Sequence, residues 1–211
     1  MLCGCAEPSE LWPDWRRDFG REAPLELEIG PGRGAFALDH AHKHPEIDLV
    51  AIETRRSDCE LIRTRARRRE LSNLMVLHGD AKLLVPRLFP PGSLSAIHVQ
   101  FPDPWWKKRH HKRRMVDVDF AAQMRRLLAP GGLVDFRTDV PAYAREGIQT
   151  WIEAGFEQLP DEVPEVLSTR ERRYAITGQP VFRARFRNPA RPADRPAPDR
   201  TGREWRDVRR K

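Results

Sequence analysis

Residues 101–114 read FPDPWWKKRHHKRR and set an acid where a solvated basic run would not need one. Asp103 lies between Pro102 and Pro104, whose rings restrict the backbone on both sides and so limit where its carboxylate points. Trp105 and Trp106 follow, with faces suited to stacking on a base or a guanidinium. Lys107, Lys108, Arg109, Lys112, Arg113 and Arg114 then supply the positive charge that neutralises a phosphate backbone. An acid, aromatic faces and a cationic run in one short segment suit nucleic-acid binding, with a solvated basic loop whose tryptophans lie in the core as the alternative.

A second set of residues points to a nucleotide. Residues 28–34, EIGPGRG, place Gly30, Gly32 and Gly34 after one apolar run and before a helical pattern. Glycines there let the backbone turn tightly and approach a ligand closely. Glu53 ends the next apolar run, where an acid accepts hydrogen bonds from ribose hydroxyls. Asp80 ends the third run and suits an adenine amino group, although an acid at that position also suits a helix cap. Asp139 ends the fifth run in R-T-D. The glycine spacing is G-x-G-x-G rather than the G-x-G-x-x-G of dinucleotide sites. Glu28 and further acids around the loop fit a cationic adenosine ligand such as S-adenosylmethionine better than a pyrophosphate, with NAD as the competing reading.

These residues need a scaffold that brings strand ends together, and the pattern supplies one. LELEI (25–29), DLVAIE (48–53), NLMVLHGD (73–80), LSAIHVQF (94–101) and GLVDFRTD (132–139) read as strands. Helices are expected between them, at about 35–43, 57–71, 81–88, 118–130 and 141–155, with Pro130-Gly131-Gly132 stopping the fourth. Strands alternating with helices imply βαβ units, hence a mostly parallel, doubly wound α/β sheet. Ligands of such sheets sit beyond the carboxyl ends of the strands. PVFRARFRN (180–188) alternates apolar and basic residues and reads as a half-exposed edge strand, the C-terminal strand expected to run antiparallel to the rest.

The chain of 211 residues suits one domain spanning 24–188. An irregular segment, 1–23, precedes it, with Trp12, Trp15 and Phe19 expected to pack against the domain. A Pro- and Arg-rich tail, 189–211, is expected to be disordered. Net charge is +7, which favours a polyanionic partner. Three cysteines (Cys3, Cys5 and Cys59) argue against a disulfide framework, and no cluster completes a metal set around Cys3 and Cys5, so no metal is expected. The start carries no signal-peptide pattern and no apolar stretch spans a bilayer, so a cytoplasmic location without membrane contact is expected. No obligate protein partner is evident.

PDPWWKKRHHKRR resembles the PDPW-x-K-x-R-H-x-K-R-R signature of the bacterial tRNA (guanine-N7-)-methyltransferases. EIGPGRG, the strand-ending AIE, HGDA and the T-D pair stand in the order that family has them, and the likeness runs from Pro24 to Arg187. The resemblance implies a Rossmann-like class I methyltransferase fold, S-adenosylmethionine as donor, and a guanine in the variable loop of tRNA as acceptor. It makes Glu28, Gly30, Gly32, Gly34, Glu53, Asp80 and Asp103 donor contacts, with Asp103 also catalytic. It makes Lys107, Asp139, Ser168 and Glu171 substrate contacts, and Arg109, Lys112, Arg113 and Arg114 the RNA-facing residues. Where the family has T-x-F/Y-E this chain reads S-T-R-E, with Arg170 in place of the aromatic and Thr169 and Tyr174 as alternative contacts. A methyltransferase acting on another RNA and a non-catalytic RNA-binding protein are the rival readings.

Overall fold

In the computed structural model, residues 12–105, 109 and 114–189 are described. Lys107, Lys112, Arg113, Trp106, Cys3 and Cys5 lie outside them, as does most of the tail.

Seven strands form one sheet in the order β3-β2-β1-β4-β5-β7-β6. They are β1 (Leu25–Ile29), β2 (Asp48–Glu53), β3 (Leu74–His78), β4 (Leu94–Gln100), β5 (Leu128–Thr138), β6 (Glu157–Leu159) and β7 (Phe182–Arg187). β1 to β5 are parallel, and β7 runs antiparallel to both of its neighbours. The chain winds outward from β1 in both directions, which opens a crevice between β1 and β4 at their carboxyl ends. This is the mostly parallel, doubly wound sheet expected from the pattern.

The helices are α1 (Trp15–Phe19), α2 (Ala35–Lys43), α3 (Arg56–Arg68), α4 (Ala81–Leu88), α5 (Val118–Leu127), α6 (Pro141–Glu153) and α7 (Thr169–Thr177). Their starts follow local chemistry. Asp80 accepts from Lys82 N at 2.9 Å and Asp117 from Phe120 N at 2.8 Å, satisfying first-turn amides that have no partner within the helix. Pro141 opens α6, where a missing N–H costs nothing. Among the described residues no helix is long and apolar enough to cross a membrane.

Two apolar cores cover the sheet. Leu27, Ile29, Ile97, Val99 and Phe136 pack on one face beneath Phe89, Phe120, Tyr143 and Trp151. Leu49, Ala51 and Val76 meet Leu38, Cys59 and Ile62 of α2 and α3 on the other. Trp15 joins the first core, stacking on Phe89 at 5.3 Å and donating its indole N–H to Leu88 O. Gly34 shows how tightly the second core closes. It has φ +76°, and a Cβ there would stand 2.4 Å from Ile62 Cγ1. Gly34→Ala is expected to cost about 2–4 kcal/mol in a urea melt; a change under about 0.5 kcal/mol would contradict this packing.

The structure corrects two readings of the sequence and adds a helix the sequence reading did not assign. The helix expected to reach residue 130 ends at Leu127, and Pro130-Gly131-Gly132 lies inside β5. Gly131 N donates to Asn188 O, Asn188 N donates to Gly132 O, and the Asn188 amide donates to Leu128 O, so this turn-like triplet is held as strand. The 180–188 strand is not at the edge, because β6 pairs with its outer side. β6 has only three residues, too few for a period-2 pattern to register. The segment around Ser168 forms α7, whose capping box the sequence shows as S-T-R-E.

Candidate active site

The apolar strands end in the candidate residues at one rim of the sheet. A crevice of about 760 Å³ there is lined by Gly30 and Gly32 after β1, Glu53 at the end of β2, Asp80 after β3 and Asp103 after β4. These five were expected to converge, and they do.

Glu53 is 6% exposed and organises the loop. Its Oε2 accepts from Gly32 N at 2.9 Å, and its Oε1 accepts from Arg55 N at 2.9 Å and Thr54 Oγ1 at 3.1 Å. A carboxylate offers about four lone-pair sites, so one remains on Oε2 for a ligand. Asp80 is exposed and uses Oδ1 to cap α4, so its capping and crevice positions coexist.

The chain leaves β4 under constraint. Phe101 N donates to Arg137 O at 2.7 Å, and Phe101 and Trp105 have φ of 49° and 45°. Left-handed backbone at a bulky side chain costs roughly 1–3 kcal/mol, and such sites cluster where geometry serves function. Here the two bracket Pro102-Asp103-Pro104. Asp103 is exposed in the crevice wall, and among the described residues no hydrogen bond or ion pair engages its carboxylate. Trp105 lines the same wall.

Other expected residues fall differently. Gly34 caps α2 against Ile62 and is not in the crevice wall. Glu28 is 2% exposed on the sheet face under α2, and its Oε2 has no partner among the described residues. Burial pushes its pKa up to about 8; Glu53 and Asp135 add to the shift, while His98 and Arg137 oppose it. A raised acid gives stability that is full below its unfolded value of 4.5 and lost as pH rises through 8. The loss reaches about 1.4 kcal/mol per pH unit. In urea melts with EDTA, Glu28→Gln should therefore gain on the parent protein from about pH 5 upward; parallel curves would rule this out.

Asp139 accepts from the Tyr174 hydroxyl at 2.6 Å and pairs with Arg170 at 3.5 Å. It stands behind Arg170, which lines the crevice with its guanidinium 5.1 Å from the Phe101 ring. Ser168 caps α7. Glu171 is fully buried and accepts from Arg137 (2.8 Å), Arg183 (2.9 Å) and Ser168 N (3.0 Å), so it faces the protein rather than the crevice. Arg109 is exposed. Arg114 turns inward instead: its side chain is 11% exposed, donates to Pro104 O and Glu146, and lies 5.0 Å from the Tyr143 ring. It anchors the end of the loop.

Two wall residues escaped the sequence reading. Gln100 is 8% exposed in the crevice wall, and neither its amide N–H nor its carbonyl has a partner among the described residues. Both amide atoms are closed off from solvent, so Gln100 meets the crevice through its other atoms while its amide stays an unpaired buried group. Arg170 was noted only as a substitution for an aromatic residue. No single-sequence signal marks Gln100; Arg170 was findable from that departure.

Residues 22–184 match a family model described as "Putative methyltransferase". The chain is 54% identical over 188 residues to a tRNA (guanine-N(7)-)-methyltransferase of Anaeromyxobacter dehalogenans, covering 84% of this chain and 92% of that one. It is 46% identical over 188 residues to the protein of the same name from Myxococcus xanthus, covering 86% and 91%. Among solved structures, 16S rRNA methyltransferase KamB superposes with a TM-score of 0.62 at 18% identity, covering 86% of this chain and 95% of that one. The aminoglycoside resistance methyltransferase NpmB1 gives 0.60 at 20%, covering 82% and 91%. At such identities the two structures speak for the fold alone. The sequence relatives and the family model go further: this chain belongs to the tRNA (guanine-N7-)-methyltransferase family.

Proposed function

We propose that the chain transfers a methyl group from S-adenosylmethionine to N7 of a guanine in the variable loop of tRNA. The observation that carries this reading is the convergence of the glycine loop, Glu53, Asp80 and Asp103 on one crevice, with the basic run following Asp103 in the sequence.

The residues fit the donor. A Cβ at Gly30 or Gly32 would meet nothing within 4 Å, so the loop backbone is bare towards a ligand. The free lone pair of Glu53 suits a ribose hydroxyl and Asp80 an adenine amino group. When bound, S-adenosylmethionine supplies an electrophilic sulfonium methyl. Guanine N7 carries an in-plane lone pair and no proton at neutral pH, so no general base is required. The protein's work is then to hold two reactants in line and to exclude other geometries. Asp103, held by the prolines and the strained backbone around it, accepts from the N1–H and amino edge of the guanine or from the donor's ammonium. Arg170 lines the wall as a further polar contact, with Asp139 paired behind it and Glu171 fixing α7. Lys107 is assigned to a phosphate near the target base.

Incubating unmodified tRNA with methyl-labelled S-adenosylmethionine tests the reading; absence of label in the RNA would refute it. The RNA surface has its own test. Replacing Arg109, Lys112 and Arg113 together by Ala should weaken tRNA binding and lower the slope of log K against log salt by about one unit per lost phosphate contact. An unchanged slope would place the RNA contacts elsewhere.

A further inference from the structure

The sheet face under α2 is not apolar where β1, β4 and β5 cross it. Glu26, His98 and Asp135 project there, in a layer that hydrophobic packing would fill with Val or Ile. Beside them lies a second cavity of about 310 Å³ that shares no lining residue with the crevice. Glu26, His40 and His98 all face it.

We propose that Glu26, His40 and His98 form a binding site for a divalent transition metal of the zinc class. The three ligand atoms lie within 4.8 Å of one another. Glu26 Oε2 is 2.8 Å from His40 Nε2 and 2.8 Å from His98 Nε2. A tetrahedral ion with bonds of about 2.0–2.2 Å needs neighbouring ligands about 3.3–3.5 Å apart, so a splay of about half an ångström admits it. Two imidazoles and one carboxylate are a donor set suited to such an ion, and the adjoining cavity leaves the fourth position to water.

The surroundings supply what a metal-bound imidazole requires. A ligating histidine ordinarily donates its other ring N–H to a carboxylate. His98 Nδ1 is buried, makes no hydrogen bond among the described residues, and lies 3.6 Å from Asp135 Oδ2. Asp135 is itself held by Arg137 Nε at 3.1 Å and by Arg137 Nη2. The ligands come from β1, α2 and β4, so an occupied site would tie three elements together beneath the strand that leads to Asp103. Their side chains are 15%, 13% and 9% exposed, shielded from water yet reachable through the cavity.

The full-length protein, stripped with EDTA, is titrated with Co(II) and followed by its visible d–d absorption, with bound metal counted by elemental analysis. The expected result is one equivalent with a tetrahedral spectrum and a higher melting temperature. His40→Ala and Glu26→Gln are each expected to weaken binding by about 100-fold while keeping the parent far-UV circular dichroism. His40 lies on α2, so its truncation spares the strands. No tetrahedral spectrum at excess metal would overturn the proposal. So would binding unchanged in His40→Ala, because the metal would then sit on other ligands.

Discussion

Asp103→Ala is expected to lower methyl transfer to tRNA by at least about three orders of magnitude while leaving the melting temperature within about 2 °C. The two halves of this expectation rest on different observations. Asp103 is exposed, and among the described residues no hydrogen bond or ion pair engages it, so its removal breaks nothing the fold needs. Yet it stands in the crevice between two left-handed residues, Phe101 and Trp105, whose strain a merely decorative loop would not retain. The variant also separates the two roles open to the carboxylate. Loss of affinity for S-adenosylmethionine, measured by calorimetry, would assign Asp103 to the donor; unchanged donor affinity with a collapsed kcat would assign it to the guanine. Activity within about tenfold of the parent would remove Asp103 from the mechanism.

The second large effect is on stability. Glu171→Ala is expected to cost about 3–5 kcal/mol, a fall in melting temperature of roughly 6–20 °C. Its side chain is fully buried and joins Arg137, which is 4% exposed, to Arg183. Removing it leaves Arg137 with Asp135 as its one charged partner among the described residues, beside the Val166 carbonyl, and deprives the Ser168 backbone N–H of its capping partner. A buried charge stripped of a partner costs far more than a surface pair is worth. Glu171→Gln keeps the shape and one acceptor, so it should lose less than Ala; equal losses would mean that the charge alone, and neither volume nor the remaining hydrogen bond, matters here. A loss under about 1 kcal/mol for Ala would contradict the network.

Most of the crevice was legible because its residues obey one rule. Each apolar strand run ends in glycine or acid, and a parallel sheet brings those ends to one rim, so Gly30, Gly32, Glu53, Asp80 and Asp103 could be grouped from order alone. What resisted reading depends on direction rather than order. In a run of cations, Arg114 looks like Arg109, yet the Pro104 carbonyl, Glu146 and the Tyr143 ring draw it inward. Glu171 matches a motif for substrate contact, but Arg137 and Arg183 occupy both of its oxygens. Gln100 becomes notable only when its amide proves unpaired. Glu26, His40 and His98 are separated by 14 and 58 residues and meet only because β1 and β4 are neighbours under α2.

The account turns on where the methyl group goes. Unmodified tRNA should be incubated with the protein and methyl-labelled S-adenosylmethionine, then cleaved at 7-methylguanosine by borohydride and aniline. The account predicts one labelled methyl per tRNA, scission at a single variable-loop guanine, and neither with Asp103→Ala. Bound tRNA that acquires no label, or label at a base other than that guanine, would contradict it.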